Sequence, residues 1–180
     1  VLWNQLAREG ELFLRLSPDH CRVAEQEKVV GTVTTISYQH HFSWIGMVLV
    51  DPANQQQGIG MQLLREDLQI LQHQETVKLD ATPAGRKVYL KLNFEDEYPL
   101  SRMHLSAVES GVTNSTARSV KHDDLSKIFE FDRHIFGADR LSLLEWQYNG
   151  APEYAFLIQD DTGIQGYCLG RIGQHSIHIG

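Results

Sequence analysis

Between Phe42 and Leu64 the chain reads FSWIGMVLVDPANQQQGIGMQLL, and this passage restricts the fold more than any other. Phe42 to Val50 is dense in aromatic, aliphatic and β-branched residues and is stopped by Asp51-Pro52, which predicts a strand. Beyond Gly58 and Gly60, residues Leu63, Leu64, Leu68 and Leu71 recur at helical spacing, so a helix is expected over Gln62 to Gln72. A strand that hands over to a helix through a glycine-bearing turn leaves the amides of Gln56 to Met61 converging at a positively polarised helix N-terminus. Such a place suits an anion.

The loop is neither of the two commonest phosphate motifs. It lacks the glycine spacing and the Lys-Ser/Thr of a P-loop, and Gly58-Ile59-Gly60 is followed by no third glycine of a dinucleotide fingerprint. What remains, Gln55-x-x-Gly58-x-Gly60 directly after a buried strand, resembles the pyrophosphate loop of the GNAT superfamily of acyl-CoA-dependent N-acyltransferases. In that family a strand, a V-x-P-x-x-Q/R-x-x-G-x-G run and an amphipathic helix follow one another as they do from Val50 to Leu64. The other reading of an isolated GxG is a helix start that needs glycines only for close packing.

At 180 residues and 42% hydrophobic, the chain can bury one sizeable core, or one domain and part of another. The apolar runs fall well short of the ~20 residues a bilayer span requires. A formal net charge of -7 without a Lys/Arg-rich run argues against a nucleic-acid partner, and weakly suits a cationic amine substrate. Cys21 and Cys168 are too far apart in sequence for a metal or redox pair, and a reducing, cytoplasmic setting is the default expectation.

Taken in order, Leu2 to Leu16 reads as an amphipathic helix interrupted at Gly10, and Ser17-Pro18-Asp19 breaks it. Cys21 to Ala24 and Val29 to Tyr38 form an expected hairpin, with Phe42 to Val50 as the third strand. After the helix come a short strand, Thr76 to Leu79, a helix over Thr82 to Lys91 capped by Thr82 with Pro83 in its first turn, and a last strand, Glu97 to Leu105. The order is an α+β (α/β) mixture, a mixed sheet flanked by helices. The expected domains are residues 1–106, then a linker over residues 107–122, small and polar without periodicity, and residues 123–180.

The last segment restarts the pattern. Helices over Asp124 to Phe136 and Arg140 to Tyr148 precede a hairpin of Tyr154 to Gln159 and Gly163 to Ile172, and Ser176 to Ile179 begins another strand. This resembles the first half of a second GNAT-like domain, as in tandem members of the family, and the D-A-T-P-A-G-R-x-V-Y run at residues 80–89 resembles that subgroup. The expectation is that the natural protein continues for about another hundred residues. A half-built sheet would otherwise have to be covered by a partner, with a homodimer the natural arrangement.

The resemblance implies acetyl-CoA as co-substrate, no metal, and direct transfer of an acetyl group to a primary amine on a small molecule or peptide. Backbone groups of Val48, Leu49 and Val50 would hold the thioester carbonyl and the pantetheine amides where two strands splay. The amides of Gln56, Gln57, Gly58, Ile59, Gly60 and Met61 would hold the pyrophosphate, with Gln55 in the position the family fills with Gln or Arg. Gln56 and Gln57 stand where the family usually carries basic residues, which weakens attraction of the cofactor at long range. Tyr89, in VYLKLNF, resembles the tyrosine of a Y-x-K-x-G-F segment that acts as general acid; the other reading is a packing tyrosine. Asn93 replaces the family's glycine.

No single general base stands out: Asp80, at the carboxyl end of its strand, is the leading candidate beside His40, His41 and a chain of waters. His175, His178 and Cys168 are spaced as strand faces rather than as a metal site. The leading function is an N-acetyltransferase. A GNAT domain that binds acyl-CoA without turnover, as sensor or scaffold, is the alternative, and neither reading expects a membrane as partner.

Overall fold

A computed structural model describes residues 5–106 and 116–180. The chain divides into two compact units, Val1–Asn93 and Phe94–Gly180. The fold of the first is mixed α/β. Helix α1 (Ala7–Leu16) leads into a four-stranded sheet of order β1-β2-β3-β4, made of Cys21–Glu25, Val29–Tyr38, Phe42–Val50 and Thr76–Leu79. The first three strands form an antiparallel meander, and β4 joins β3 in parallel after crossing over through α2 (Ile59–Ile70). Helix α3 (Pro83–Tyr89) follows β4.

Helix α2 holds this unit together. Leu63 and Leu64 are buried on one face of it and Leu71 just past its end, and Val33 and Ile45 of the sheet are buried as well. Close seating depends on Gly31 in β2, where a Cβ would stand 3.0 Å from Ile59 Cγ2 and 3.1 Å from Leu63 Cδ1. A side chain there would press on both and on the Leu49 carbonyl oxygen 3.2 Å away, so glycine suits the close approach of α2 to the strand.

One buried position on α2 breaks the apolar pattern. Asp67 is 0% exposed and accepts a hydrogen bond from Thr35 Oγ1, while its Oδ1 has no hydrogen-bond partner. Burial pushes its carboxyl above the ordinary range, against the opposing pull of Thr35, His20 and Arg22. Nearby, Ser37 Oγ lies 3.2 Å from His20 Nδ1 and 2.8 Å from the buried Ser43 Oγ. The interface between helix and sheet is therefore partly polar.

The second unit builds its own core. Its sheet has order β5-β6-β7-β8, all antiparallel: Arg118–Ser119, Ala155–Asp160, Gly163–Ile172 and Ile177–Ile179. Helices α4 (Leu125–Phe136) and α5 (Leu141–Gly150) precede the β6–β7 hairpin, and Val120, Leu125, Ile128, Leu144, Ala155, Leu157 and Leu169 pack into one cluster. A polar lock ties α4 to α5 and β7. Arg140 grips the buried Asp132 through Nε at 2.8 Å and Nη2 at 2.7 Å, and the Tyr167 hydroxyl donates to the same carboxylate. Arg140 also lies 4.0 Å over the Phe136 ring.

The structure departs from the sequence-based expectations at four places. Helix α1 runs through Gly10 without a break, since one glycine costs a helix only about 1 kcal/mol. Helix α2 begins at Ile59 rather than Gln62, because Gly58 is left-handed and caps it. Glu97 to Leu105 is not a strand: its apolar residues Tyr98, Leu100, Met103 and Leu105 are all exposed and the backbone is irregular. Of the expected linker, residues 107–115 lie outside the described residues, and Arg118–Ser119 forms β5 against Phe156 and Leu157.

Two outcomes follow from these buried carboxylates. A raised folded-state pKa at Asp67 means that the folded chain holds its proton to higher pH than the unfolded chain does. The contribution to stability is full below about pH 4 and is lost as pH rises through the folded pKa. Thermal melts should show Asp67→Asn gaining on the parent as pH rises through that window; a difference that does not change with pH would contradict it. Asp132→Ala strands Arg140 beside an apolar core and should cost about 3 to 5 kcal/mol in urea unfolding.

Candidate active site

Strand β3 changes partners halfway along. Its first half pairs with β4 from Phe42↔Thr76 to Ile45↔Leu79, and there the parallel ladder stops. On its other edge, between Thr34↔Gly46 and Thr32↔Leu49, β2 spends Val33 where β3 spends both Met47 and Val48. That is a β-bulge, and Met47 within it is left-handed, at φ of 50°. Thr32 Oγ1 fixes the bulge by donating to the Met47 carbonyl at 2.8 Å.

The result is a fork. Gly46 to Val50 continues on one prong, bent away by the bulge and extending past the end of β4. On the other prong, Asp80 and α3 leave β4 directly after its last pair. Val48, Leu49 and Val50 thus present a strand edge not taken up by β4.

The freed edge runs straight into the glycine turn. Asp51 N donates to the Val30 carbonyl at 2.8 Å, and the Asp51 carboxylate accepts from Ala53 N at 3.0 Å and pairs with Lys28 at 3.0 Å. Gln55 Nε2 donates to the Val50 carbonyl at 3.1 Å, so this side chain braces the loop against the strand from which it came. Gln56 and Gly58 are both left-handed, at φ of 63° and 83°, and turn the chain into α2. The first hydrogen bond of the helix runs from Gln62 N to the Gly58 carbonyl, which leaves the amides of Ile59, Gly60 and Met61 ahead of the ladder.

The two glycines of the turn differ in what they require. A Cβ at Gly58 would meet no atom within 4 Å, so its need is the backbone angle and the open space in front of it; at Gly60 a Cβ would come 3.4 Å from Val50 Cγ2. Gln55, Gln56 and Gln57 are exposed. The turn therefore offers amides and a helix dipole rather than formal charge.

Tyr89 closes α3. It is half-buried, and burial pushes its phenol above the ordinary value. Asn93 is left-handed, φ 65°, and ends the turn that follows. Asp80 is exposed at the root of the fork. His40 and His41 stand at the start of β3, the opposite end from the fork, and His40 packs edge-on to His73 with centroids 6.1 Å apart. They are remote from the splayed edge by the length of the strand.

Three parts of this arrangement were not foreseen from the residues: the bulge at Met47, the glycine seat at Gly31, and the buried Asp67. Gly31 carried the one available signal, an isolated glycine within a strand pattern.

Among the described residues, no group of three or more His, Cys, Asp or Glu side chains could hold a metal ion. Cys168 lies on β7 and His178 on β8 beside Arg171, where burial and the charges of Arg171 and Arg102 hold its imidazole below the usual range. No helix among the described residues is long and apolar enough to cross a membrane. The second unit has an open surface groove lined by Lys127, Arg133, His134, Thr162 and Gly163, with neither a strand edge nor a glycine turn opening onto a long helix.

Comparison with known proteins bears directly on the forked unit. The family described as "Acetyltransferase (GNAT) domain" matches residues 17–96. A solved structure from Pyrococcus horikoshii, provisionally named an acetyltransferase, is 27% identical with a TM-score of 0.67, over 94% of this chain and 57% of that one. The chain thus spans little more than half the length of that relative. Ard1 from Thermoplasma volcanium is 22% identical over 52% of this chain and 68% of its own, TM-score 0.47. An acetyltransferase from Trypanosoma brucei is 21% identical over 55% and 77%, TM-score 0.46. Among curated protein sequences none matches. The matched segment contains the bulged strand, the glycine turn, α2 and α3, and over residues 17–96 this chain is similar to the GNAT acetyltransferase domain.

Proposed function

We propose that the chain is an acyl-CoA-dependent N-acyltransferase that moves an acetyl group from acetyl-CoA directly to a primary amine. The observation that carries this reading is the continuity of the freed β3 edge with the amide turn of α2. One backbone path, Val48 to Met61, offers strand-type donors and acceptors first and anion-binding amides second. A molecule with amides at one end and a pyrophosphate at the other fits that sequence of groups. Each amide bonded to a charged oxygen is worth roughly 1.5 to 3 kcal/mol net, which can hold a pyrophosphate without a basic residue among Gln55, Gln56 and Gln57.

When bound, acetyl-CoA supplies a thioester carbon that an amine can attack and a sulfur that departs as thiolate. The backbone of Val48 to Val50 aligns and polarises the carbonyl. Tyr89 keeps its proton at neutral pH because burial disfavours the phenolate, and it gives that proton to the sulfur. Asp80, at the root of the fork, accepts the proton of the amine directly or through water. The reading also has the enzyme working in the cytoplasm on a small-molecule or peptide amine, as one of two GNAT-like domains, with residues 123–180 opening the second and a homodimer as its assembly.

A binder without turnover is the second reading, favoured by the absence of basic side chains at Gln55 to Gln57. Two variants separate the readings. Gly58→Val forces a β-branched residue into the left-handed turn and fills the space before the amides, so acetyl-CoA affinity by calorimetry should fall at least about tenfold with the fold retained by circular dichroism. Unchanged affinity would put the cofactor elsewhere. Tyr89→Phe should leave that affinity nearly intact and lower thiol release in the presence of a panel of primary amines by about 100- to 10,000-fold. A parent chain that binds acetyl-CoA and releases thiol with no amine of the panel would favour the binder.

A further inference from the structure

We propose that Gly85 is the positioning residue for Tyr89, its missing side chain being the seat on which the phenol rests. The proposal rests on the acid role given to Tyr89 above. Gly85 lies one helical turn before Tyr89 in α3, and a helical side chain leans toward the N-terminus over the residue four positions earlier. A Cβ at Gly85 would stand 3.0 Å from Tyr89 Cε2, 3.1 Å from Cζ and 3.1 Å from the hydroxyl oxygen. The atoms in contact are thus the hydroxyl end of the ring, the end that must deliver the proton.

No other demand explains a glycine here. Its φ is not left-handed, unlike those of Gly58, Gly137 and Gly163, so the backbone does not require it. The rest of α3 is built to form a helix: Pro83 occupies the first turn, and Thr82 Oγ1 accepts from Gly85 N at 3.1 Å. Glycine in place of alanine costs such a helix about 1 kcal/mol. Gly10, the comparable glycine inside α1, would have nothing within 4 Å of an added Cβ. Gly85 is set apart by the phenol lying against it.

Adding one methyl group at residue 85 therefore moves the hydroxyl and little else. The ring is the free end of a side chain and yields more easily than backbone would, so the helix survives while the proton donor shifts. At contacts of 3.0 to 3.1 Å the ring has to give by a few tenths of an ångström, and a reacting group loses rate steeply with displacement, about 100-fold for roughly 1 Å.

The test compares the 180-residue parent chain with Gly85→Ala, Tyr89→Phe and the double variant, assayed by thiol release from acetyl-CoA with the most active amine of the panel. Gly85→Ala should keep or raise the melting temperature, since alanine is the better helix former, bind acetyl-CoA within about twofold of the parent, and lose at least about tenfold in kcat. In the Tyr89→Phe background the same substitution should cost nothing further. Independently of turnover, spectrophotometric titration of tyrosinate, with Tyr89→Phe assigning the Tyr89 step, should show that step moving down toward the ordinary value as the phenol is lifted toward water. Parental kcat and an unmoved titration in Gly85→Ala, with Tyr89→Phe impaired, overturn the positioning role alone. Parental kcat in Tyr89→Phe overturns the acid role and the positioning role together.

Discussion

The forked unit depends on the bulge in β3 together with the early end of β4. The β3–β4 ladder ends at Ile45↔Leu79, and the extra residue at Met47 and Val48 against β2 bends and twists the carboxyl half of β3 beyond that point. The bulge is costly, since a left-handed methionine gives up about 1 to 2 kcal/mol relative to ordinary backbone. Thr32 offsets part of that through its bond to the Met47 carbonyl. Because Val50 leads into Asp51 and the turn without interruption, the bend that frees the strand edge also sets the direction from which α2 begins.

That coupling explains why the loop is so heavily braced yet exposed. Lys28, Ala53 and Val30 hold Asp51, and Gln55 returns to Val50, so the turn has a fixed shape although its glutamines face water. Gly31 lets α2 sit close, and Leu63, Leu64 and Leu71 fasten it. A rigid set of amides loses little entropy when an anion arrives, which matters more where no lysine or arginine draws it in. Under the proposed function, a net charge of -7 makes attraction over distance weak and leaves most of the binding to the short-range amides.

The order of elements through α3 could be read from the sequence because each was locally consistent. Asp51-Pro52 stops a strand, Leu63 to Leu71 repeats at helical period, and Thr82-Pro83 starts a helix with its own cap. Residues Glu97 to Leu105 misled because Tyr98, Leu100, Met103 and Leu105 are apolar without being buried, and apolar content alone does not make a strand. The bulge left no trace in residue type, since methionine is an ordinary strand residue and the need for it arises only from pairing with β2. Asp67 was hidden in the same way: it sits on the buried face of α2, where the helical period calls for an apolar residue, and its bond from the buried Thr35 appears only in the fold. The glycine turn, by contrast, was legible because Gly58 is left-handed, a demand that selects glycine.

The central claim is that one continuous backbone path, from the bulged edge of β3 into the first turn of α2, receives the acyl-CoA. Amide chemical shifts of the nitrogen-15-labelled chain, titrated with coenzyme A, read that path residue by residue. The account predicts the largest changes at Val48, Leu49 and Val50 and at Ile59, Gly60 and Met61, saturating together with a single affinity. Changes confined to the second unit, for example beside Lys127, Arg133 and His134 along the α4 groove, with the β3 edge and the α2 turn unmoved at saturation, would contradict it.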